Sequence, residues 1–295
     1  MWSLIVSLIC TLSFKMNETK TEADSPVTVQ IVSDIHPEYT NDSSPDILDF
    51  VTPSADILVL AGDCGNLHKP TQLEHLLLSA CIQFKYVIYV PGNHEFYRFK
   101  YINSSPMETL QVRLENIERS VNGRLHGNVK RLHVLQRGMI RVGGALFIGC
   151  TLWSRAIFEG GLPTHIVRIG TRSNSGVTSL TKEGYNRLHE IDLDFITETV
   201  NEATEDDSVE KVIVITHHPP CRDMFFPHEL TTKYSTLYYT DLPRELFEKV
   251  DMWISGHIHK TYDIAMPEGC RLVSNQIGKP NRPNLEFSRE FIVDI

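Results

Sequence analysis

The chain has 295 residues, of which 41% are hydrophobic and 22% charged, and its formal net charge is −9. These are ordinary globular proportions, with enough length for two domains or one large α/β unit and for a sizeable core. The negative balance disfavours a general electrostatic grip on nucleic acid or an anionic membrane, so an anionic substrate would need a locally positive site.

The chain opens on MWSLIVSLICTLSF, an apolar stretch too short for a confident membrane span. It resembles the apolar region of a signal peptide, yet no Lys or Arg precedes it and no small-residue cleavage site follows. Met16 opens a polar segment, and a start there would make the first 15 residues irrelevant. Residues 1–26 therefore read as an apolar leader, or a misassigned start, plus a polar segment, and residues 27–295 as the domain. Sequons at Asn17, Asn41 and Asn103 would matter only in a secreted chain. Cys10, Cys64, Cys81, Cys150, Cys221 and Cys270 form no CxxC pair, which favours buried free thiols in a reducing compartment and a cytoplasmic protein.

Apolar, β-branched runs then mark strands at 27–33, 56–62, 86–92, 211–218 and 251–257. A hairpin is expected within 134–153, and closing strands at 270–276 and 289–295. Helical spacing predicts helices at 71–84, just after Pro70, then at 106–121 and 179–203, with a short one at 242–250. Residues 157–180 are rich in Gly and Ser with little periodicity and read as a long surface loop over the site or a disordered insertion. The alternation predicts an α/β fold: a four-layer sandwich of mixed β-sheets flanked by helices.

Five strands each deliver a metal-capable residue at the C-terminal end, the edge at which open α/β sheets bind ligands. Asp34 and His36 follow the first strand, Asp63 the second, Asn93-His94-Glu95 the third, His217-His218 the fourth, and His257 and His259 the fifth. In extended chain alternate residues point the same way, so Asp34 and His36 are expected to grip one ion together. Gly62, Gly92 and Gly256 are expected to let the backbone turn sharply before each ligand. Carboxylate, imidazole and carbonyl oxygen donors suit Mn, Zn or Fe, whereas Cys64 reads as a packing residue.

The ordered set DIH, GD, GNHE, HH and GHIH, with GCTLW and THHPP between, resembles the calcineurin-like metallophosphoesterases from Val27 to the C-terminus. That resemblance implies a dinuclear metal site at the strand ends. One ion would take Asp34, His36, Asp63 and His259, and the other Asp63, Asn93, His217 and His257, with Asp63 bridging. It implies hydrolysis of a phosphate ester, a diester or small monoester, by metal-activated hydroxide, with His94 acting on the leaving oxygen. The ions outweigh the charge of Asp34, Asp63 and a hydroxide, which supplies the positive site an acidic chain needs. Glu95 is expected to orient His94 or to be structural.

The chain also departs from that pattern. Many relatives carry GDxxD, whose second Asp pairs with the catalytic His; here the run is GDCGN and Asn66 stands in that place. An amide cannot stabilise imidazolium as a carboxylate does, so His94 is expected to titrate lower than in such relatives. Arg155, Arg168 and Arg172 read as loop arginines first and phosphate contacts second, and Tyr239 and Asp241 as packing residues. Two other readings stand beside the enzyme: a metal-binding interaction scaffold that has lost catalysis, and a nuclease using the same centre. No missing ligand supports the first, and the acidic chain gives no strong nucleic-acid signal for the second. Substrate, metal identity and oligomeric state are not legible.

Overall fold

The computed structural model describes residues 18–19, 27–98, 105–126 and 130–295. The apolar leader, Cys10 and the sequons at Asn17 and Asn103 lie outside the described residues; Asn41 is exposed. In chain order the strands are β1 (Glu18–Thr19), β2 (Thr28–Val32), β3 (Ile57–Ala61), β4 (Tyr86–Val90), β5 (Leu132–Val134), β6 (Gly138–Val142) and β7 (Ala145–Cys150). A small hairpin follows, β8 (Gly170–Ser173) and β9 (Gly176–Ser179). Then come β10 (Lys211–Thr216), β11 (Met252–Ile254), β12 (Tyr262–Ala265), β13 (Arg271–Ser274), the pair β14 (Gly278–Lys279) and β15 (Arg282–Pro283), and β16 (Ile292–Asp294). The helices are α1 (Pro70–Gln83), α2 (Met107–Arg124), α3 (Lys182–Thr204) and α4 (Arg244–Phe247).

Two mixed sheets carry the molecule. One has the order β16-β2-β3-β4-β5, parallel except for β16, and the other β1-β6-β7-β10-β11-β13-β12. Their central strands β2, β3, β4, β7, β10 and β11 are buried on both faces, as strands covered on both sides must be. Val29, Ile31, Val59 and Ile88 from the first sheet meet Phe147, Ile213, Ile215 and Ile254 from the second in one core. On the outer face of the first sheet Leu58, Leu60 and Val87 pack against Leu73, Leu76 and Leu77 of α1 and Leu110, Leu114 and Ile117 of α2. Behind the second sheet Ile148, Val212, Val214 and Trp253 pack against Phe195, Ile196 and Val200 of α3 and Phe247 of α4. The result is the four-layer α/β sandwich that the alternation of elements predicts.

Several local expectations are corrected. The segment 157–180 is not wholly loop, since it contains the β8–β9 hairpin. Residues 132–134, which overlap the start of the expected hairpin at Val134, belong to the other sheet and pair with β4. Strand β12 was not anticipated; its alternating exposure leaves a weak apolar signal.

The two sheets are stitched together at one edge. Ser33, just past β2, bridges to Gln276, just past β13, and the Asp34 amide donates to the Gly62 carbonyl at 3.0 Å. The Gly256 amide donates to the His217 carbonyl at 2.9 Å. The ends of β2, β3, β4, β10 and β11 are thus held within reach of one another.

Candidate metal centre

The residues that close these strands leave the extended conformation abruptly. Asp34, His36, Asp63, His257 and His259 all have positive φ, between 50° and 75°. For non-glycine residues this left-handed region costs about 1–3 kcal/mol each and persists only where the surroundings enforce it. The expected mechanism of convergence is therefore corrected. Asp34 and His36 do not face the same way because the chain is extended; they do so because left-handed turns aim them. The glycines are corrected in part. Gly62 has φ +90°, and a Cβ there would strike the His217 ring. Gly92 and Gly256 serve close approach instead of an unusual turn: a Cβ at Gly92 would meet the Asp63 carboxylate, and at Gly256 the Ala61 carbonyl at 2.7 Å.

All eight expected side chains meet at this edge. His36 Nε2 lies 3.1 Å from His259 Nε2, 3.8 Å from Asp34 Oδ1 and 3.6 Å from Asp63 Oδ2. On the other side of Asp63, its Oδ1 is 3.4 Å from His217 Nε2, which is 2.9 Å from Asn93 Oδ1. His257 completes that side, its ring centroid 5.0 Å from that of His217. Two groups, Asp34-His36-His259 and Asp63-His217-His257, each bring their donor atoms within 4.8 Å of one another. Asp63 presents one oxygen to each group.

The ring orientations are set from behind. His217 Nδ1 donates to the Ala61 carbonyl at 2.9 Å, and His36 Nδ1 donates to Glu38 Oε1 at 3.0 Å. Both Nε2 atoms are thereby turned to the centre, facing carboxylate oxygens, the Asn93 amide oxygen and each other's neighbours. Either cations or protons on the imidazoles must reconcile so many lone pairs; the donor set fits borderline divalent metals. Without a cation, burial works to lower the His217 pKa, but the Asp63 carboxylate outweighs it and pushes the ring up to about 9. Burial likewise works against ionisation of Asp63, and the surrounding imidazoles, His217 foremost, hold it well below the ordinary carboxylate range.

Glu38 is the functional-site residue that sequence reasoning missed. Its Oε1 accepts from His36 Nδ1 and also from His94 Nδ1, at 2.9 Å, and it is buried. Burial works to raise its pKa, and the two histidine hydrogen bonds hold it low. His36, Glu38 and His94 also form a third group with metal-ligand proximity, but both Nδ1 atoms are hydrogen-bonded to the one carboxylate oxygen. The only signal in the sequence is a Glu two residues after His36. The short 3-10 turn Pro37–Tyr39, entered from the left-handed His36, swings it beneath both rings.

The expectation for Asn66 is corrected. Its Nδ2 donates to the backbone carbonyls of His94 and of Tyr97, the latter at 2.9 Å, and not to the His94 ring. The ring partner is a carboxylate after all, delivered by a different element. Burial nevertheless holds His94 below the ordinary histidine range, against the upward pull of Asp63 and Glu38. Glu95 does not orient His94: it accepts from the backbone amides of Asp63, Cys64, Gly65 and Gly92, at 2.7–3.2 Å, and from the Tyr89 hydroxyl at 2.8 Å. It ties the turn after β3 to the turn after β4. Cys64 is fully buried and packs as expected. His218 is buried against His257, with ring centroids 4.1 Å apart. Tyr239 is buried, and Asp241 pairs with Arg222 at 2.7 Å.

A four-layer α/β sandwich with two carboxylate–imidazole groups sharing an aspartate defines a metal-dependent hydrolase of ester bonds. The calcineurin-like phosphoesterase family model matches residues 27–261, and the chain belongs to that family. It is a metal-dependent phosphoesterase and acts on phosphorylated substrates. Uncharacterized protein L509 of Acanthamoeba polyphaga mimivirus is 24% identical over 292 residues, covering 90% of this chain and 96% of that one. Among solved structures, the phosphopantetheinyl hydrolase of Mycobacterium tuberculosis is similar with a TM-score of 0.57 at 16% identity, covering 87% of this chain and 91% of that one. A dimetal phosphatase from Danio rerio has a TM-score of 0.45 at 13% identity, covering 85% of this chain and 88% of that one. Among the described residues no helix is long and apolar enough to cross a membrane, and the five described cysteines are buried and free.

Proposed function

We propose that the chain hydrolyses a small phosphomonoester or a phosphodiester at a dinuclear centre. Asp34, His36, Asp63 and His259 would hold one divalent cation, and Asp63, Asn93, His217 and His257 the second. The observation that carries this reading is Asp63, whose two oxygens face the two groups of donors. Bound there, a pair of Mn, Zn or Fe ions supplies the positive charge a phosphate ester needs and the Lewis acidity that activates water.

The chain's own residues supply the rest. His217 and His36 are locked in orientation by Ala61 and Glu38. His94 Nε2 looks into the centre, 4.0 Å from Asp63 Oδ2. Its backbone amide is fixed to Asp63 Oδ1 at 2.8 Å. From there it gives a proton to the leaving oxygen as the ester P–O bond breaks and the oxygen of water bonds to phosphorus. Glu38 keeps the Nδ1 proton in place and balances the charge of the ring while Nε2 carries its proton.

We also propose that residues 27–295 form one domain, since β16 near the C-terminus completes the sheet beside β2, and that the protein works in the cytoplasm, which suits its free thiols. The deciding measurement is turnover of bis-p-nitrophenyl phosphate against p-nitrophenyl phosphate with Mn²⁺, with Zn²⁺ and with EDTA. Turnover that EDTA abolishes is expected, and the ratio of the two rates assigns diesterase or monoesterase. Silence on both substrates with metal bound would favour the scaffold reading.

A further inference from the structure

His94 contacts two tyrosine rings, and each of those rings carries a cation over it. The Tyr39 ring stands edge-on to His94 with centroids 5.8 Å apart, and the Tyr97 ring is tilted against it at 5.0 Å. The Arg168 guanidinium lies over Tyr97, 5.3 Å from its centroid, and the Lys279 ammonium lies over Tyr39 at 5.7 Å. Arg168 also acts on the Tyr39 phenol, offsetting part of the upward push that burial and Glu38 exert on its pKa. A third cation, Lys69, reaches the Glu38 backbone carbonyl at 3.3 Å. Tyr39 is 44% exposed, and Arg168 and Lys279 are half-buried.

Among the described residues neither Arg168 nor Lys279 has a carboxylate partner, in a chain whose acidic residues outnumber its basic ones by 37 to 28. Arg168 meets the Tyr97 ring and the Tyr39 phenol, and Lys279 the Tyr39 ring, so both charges stay available to an incoming anion. The transferred phosphoryl group belongs over the Asp34, His36, Asp63 and His217 donors, whereas Arg168 and Lys279 lie over tyrosine rings that contact His94, and Tyr39 also contacts His36. What would reach them is the departing half of the substrate.

We propose that Tyr39, Arg168 and Lys279 form a subsite for an anionic leaving group, so that the preferred substrate is a phosphate ester whose alcohol carries a further carboxylate or phosphate. The inference rests on the phosphoesterase reading and on His94 facing the leaving oxygen. It assigns binding of the leaving group to the hairpin-bearing segment 157–180, to β14 and to the Pro37–Tyr39 turn after β2. Arg168 supplies a planar fork for two oxygens and Lys279 a point charge.

The experiment compares phenyl phosphate with 4-carboxyphenyl phosphate, whose leaving phenols have similar acidity, on the metal-loaded protein. The expected result is a preference of about tenfold or more in kcat/KM for the carboxylated ester, the size of one charge-assisted hydrogen bond. Arg168→Met should lose at least tenfold more on the carboxylated ester than on phenyl phosphate, Lys279→Met less, and Arg168→Lys should recover part of the difference. Equal kcat/KM on both esters, or equal losses on both in Arg168→Met, overturns the subsite while leaving the hydrolase intact. If the metal-loaded protein turns over neither monoester, bis-p-nitrophenyl phosphate decides whether the hydrolase reading stands, and calorimetric binding of 4-hydroxybenzoate against phenol decides the subsite by itself. Binding of the acid alone, lost in Arg168→Met, supports it; no difference between the two overturns it.

Discussion

One oxygen of Glu38 accepts hydrogen bonds from two histidines with separate tasks: His36 Nδ1 at 3.0 Å and His94 Nδ1 at 2.9 Å. The other oxygen is buried without a partner among the described residues. A single carboxylate therefore sets the tautomer of a metal-ligand candidate and of the proton-donor candidate together. Any change at Glu38 reaches both.

Glu38→Gln tests that sharing. A carboxamide of the same size keeps the packing but cannot balance two ring N–H donors, and the loss of an orienting partner behind a metal-binding histidine costs roughly 10–100-fold in metal affinity or activity. We expect both effects together: a fall of that order in kcat and weaker retention of metal on dialysis, measured by elemental analysis. Wild-type metal content together with wild-type kcat would refute the shared role.

Asn66→Asp should not restore a family-like dyad. The buried Asn66 Nδ2 donates to the carbonyls of His94 and Tyr97, and an aspartate has no donor for them. Two buried carbonyls left beside a carboxylate cost about 2 kcal/mol or more. The expected outcome is a lower Tm and a reduced kcat with the acidic limb of the pH–rate profile unmoved. A rise in kcat would show that the ring can turn to residue 66.

Asp63→Asn separates a bridge from an ordinary ligand. Asp63 faces both donor groups, whereas Asp34 lies beside His36 and His259, so the two variants should differ in stoichiometry. Asp63→Asn is expected to lose nearly all bound metal and Asp34→Asn about half of it, since one oxygen set serves two ions only through the shared carboxylate. Equal loss in both variants would argue against bridging.

His133 provides a pH-dependence remote from the metal centre. Burial, and then the nearby Lys130 charge, push it down to about 4 from 6.5, and its Nε2 is buried without a partner among the described residues. The unfolded chain takes up that proton below pH 6.5 while the folded chain does not. Stability is therefore fully present above 6.5 and is lost as pH falls towards 4; 6.5 − 4 = 2.5 units, or about 3 kcal/mol. His133→Leu should flatten the loss of denaturation midpoint between pH 6.5 and 4. An unchanged slope would mean that other groups carry it.

Much of this protein is legible along its chain. The runs before Asp34, Asp63, Asn93, His217 and His257 are mostly apolar and rich in β-branched residues because strands buried on both faces favour them, with Gln30 a buried exception. Their ends are therefore readable, and so is the residue type placed at each. The layering follows from the same alternation, as does α1 beginning at Pro70. Strand β12 and the β8–β9 hairpin were not legible, because partly exposed edge elements carry little hydrophobic period.

The sequence by itself determined the strands, their covering helices and the identity of the side chains waiting at each strand end, because hydrophobic period and residue chemistry are local properties. Only the tertiary structure decided how those side chains converge. Positive φ at Asp34, His36, Asp63, His257 and His259 is held in place by hydrogen bonds among the strand-end turns, and although Asp and His tolerate it more than most residues, a strand-ending Asp or His does not announce it. The same holds for Glu38 and Asn66. Which of them meets the His94 ring depends on how two loops from different strands pack, and sequence spacing carries no information about that distance.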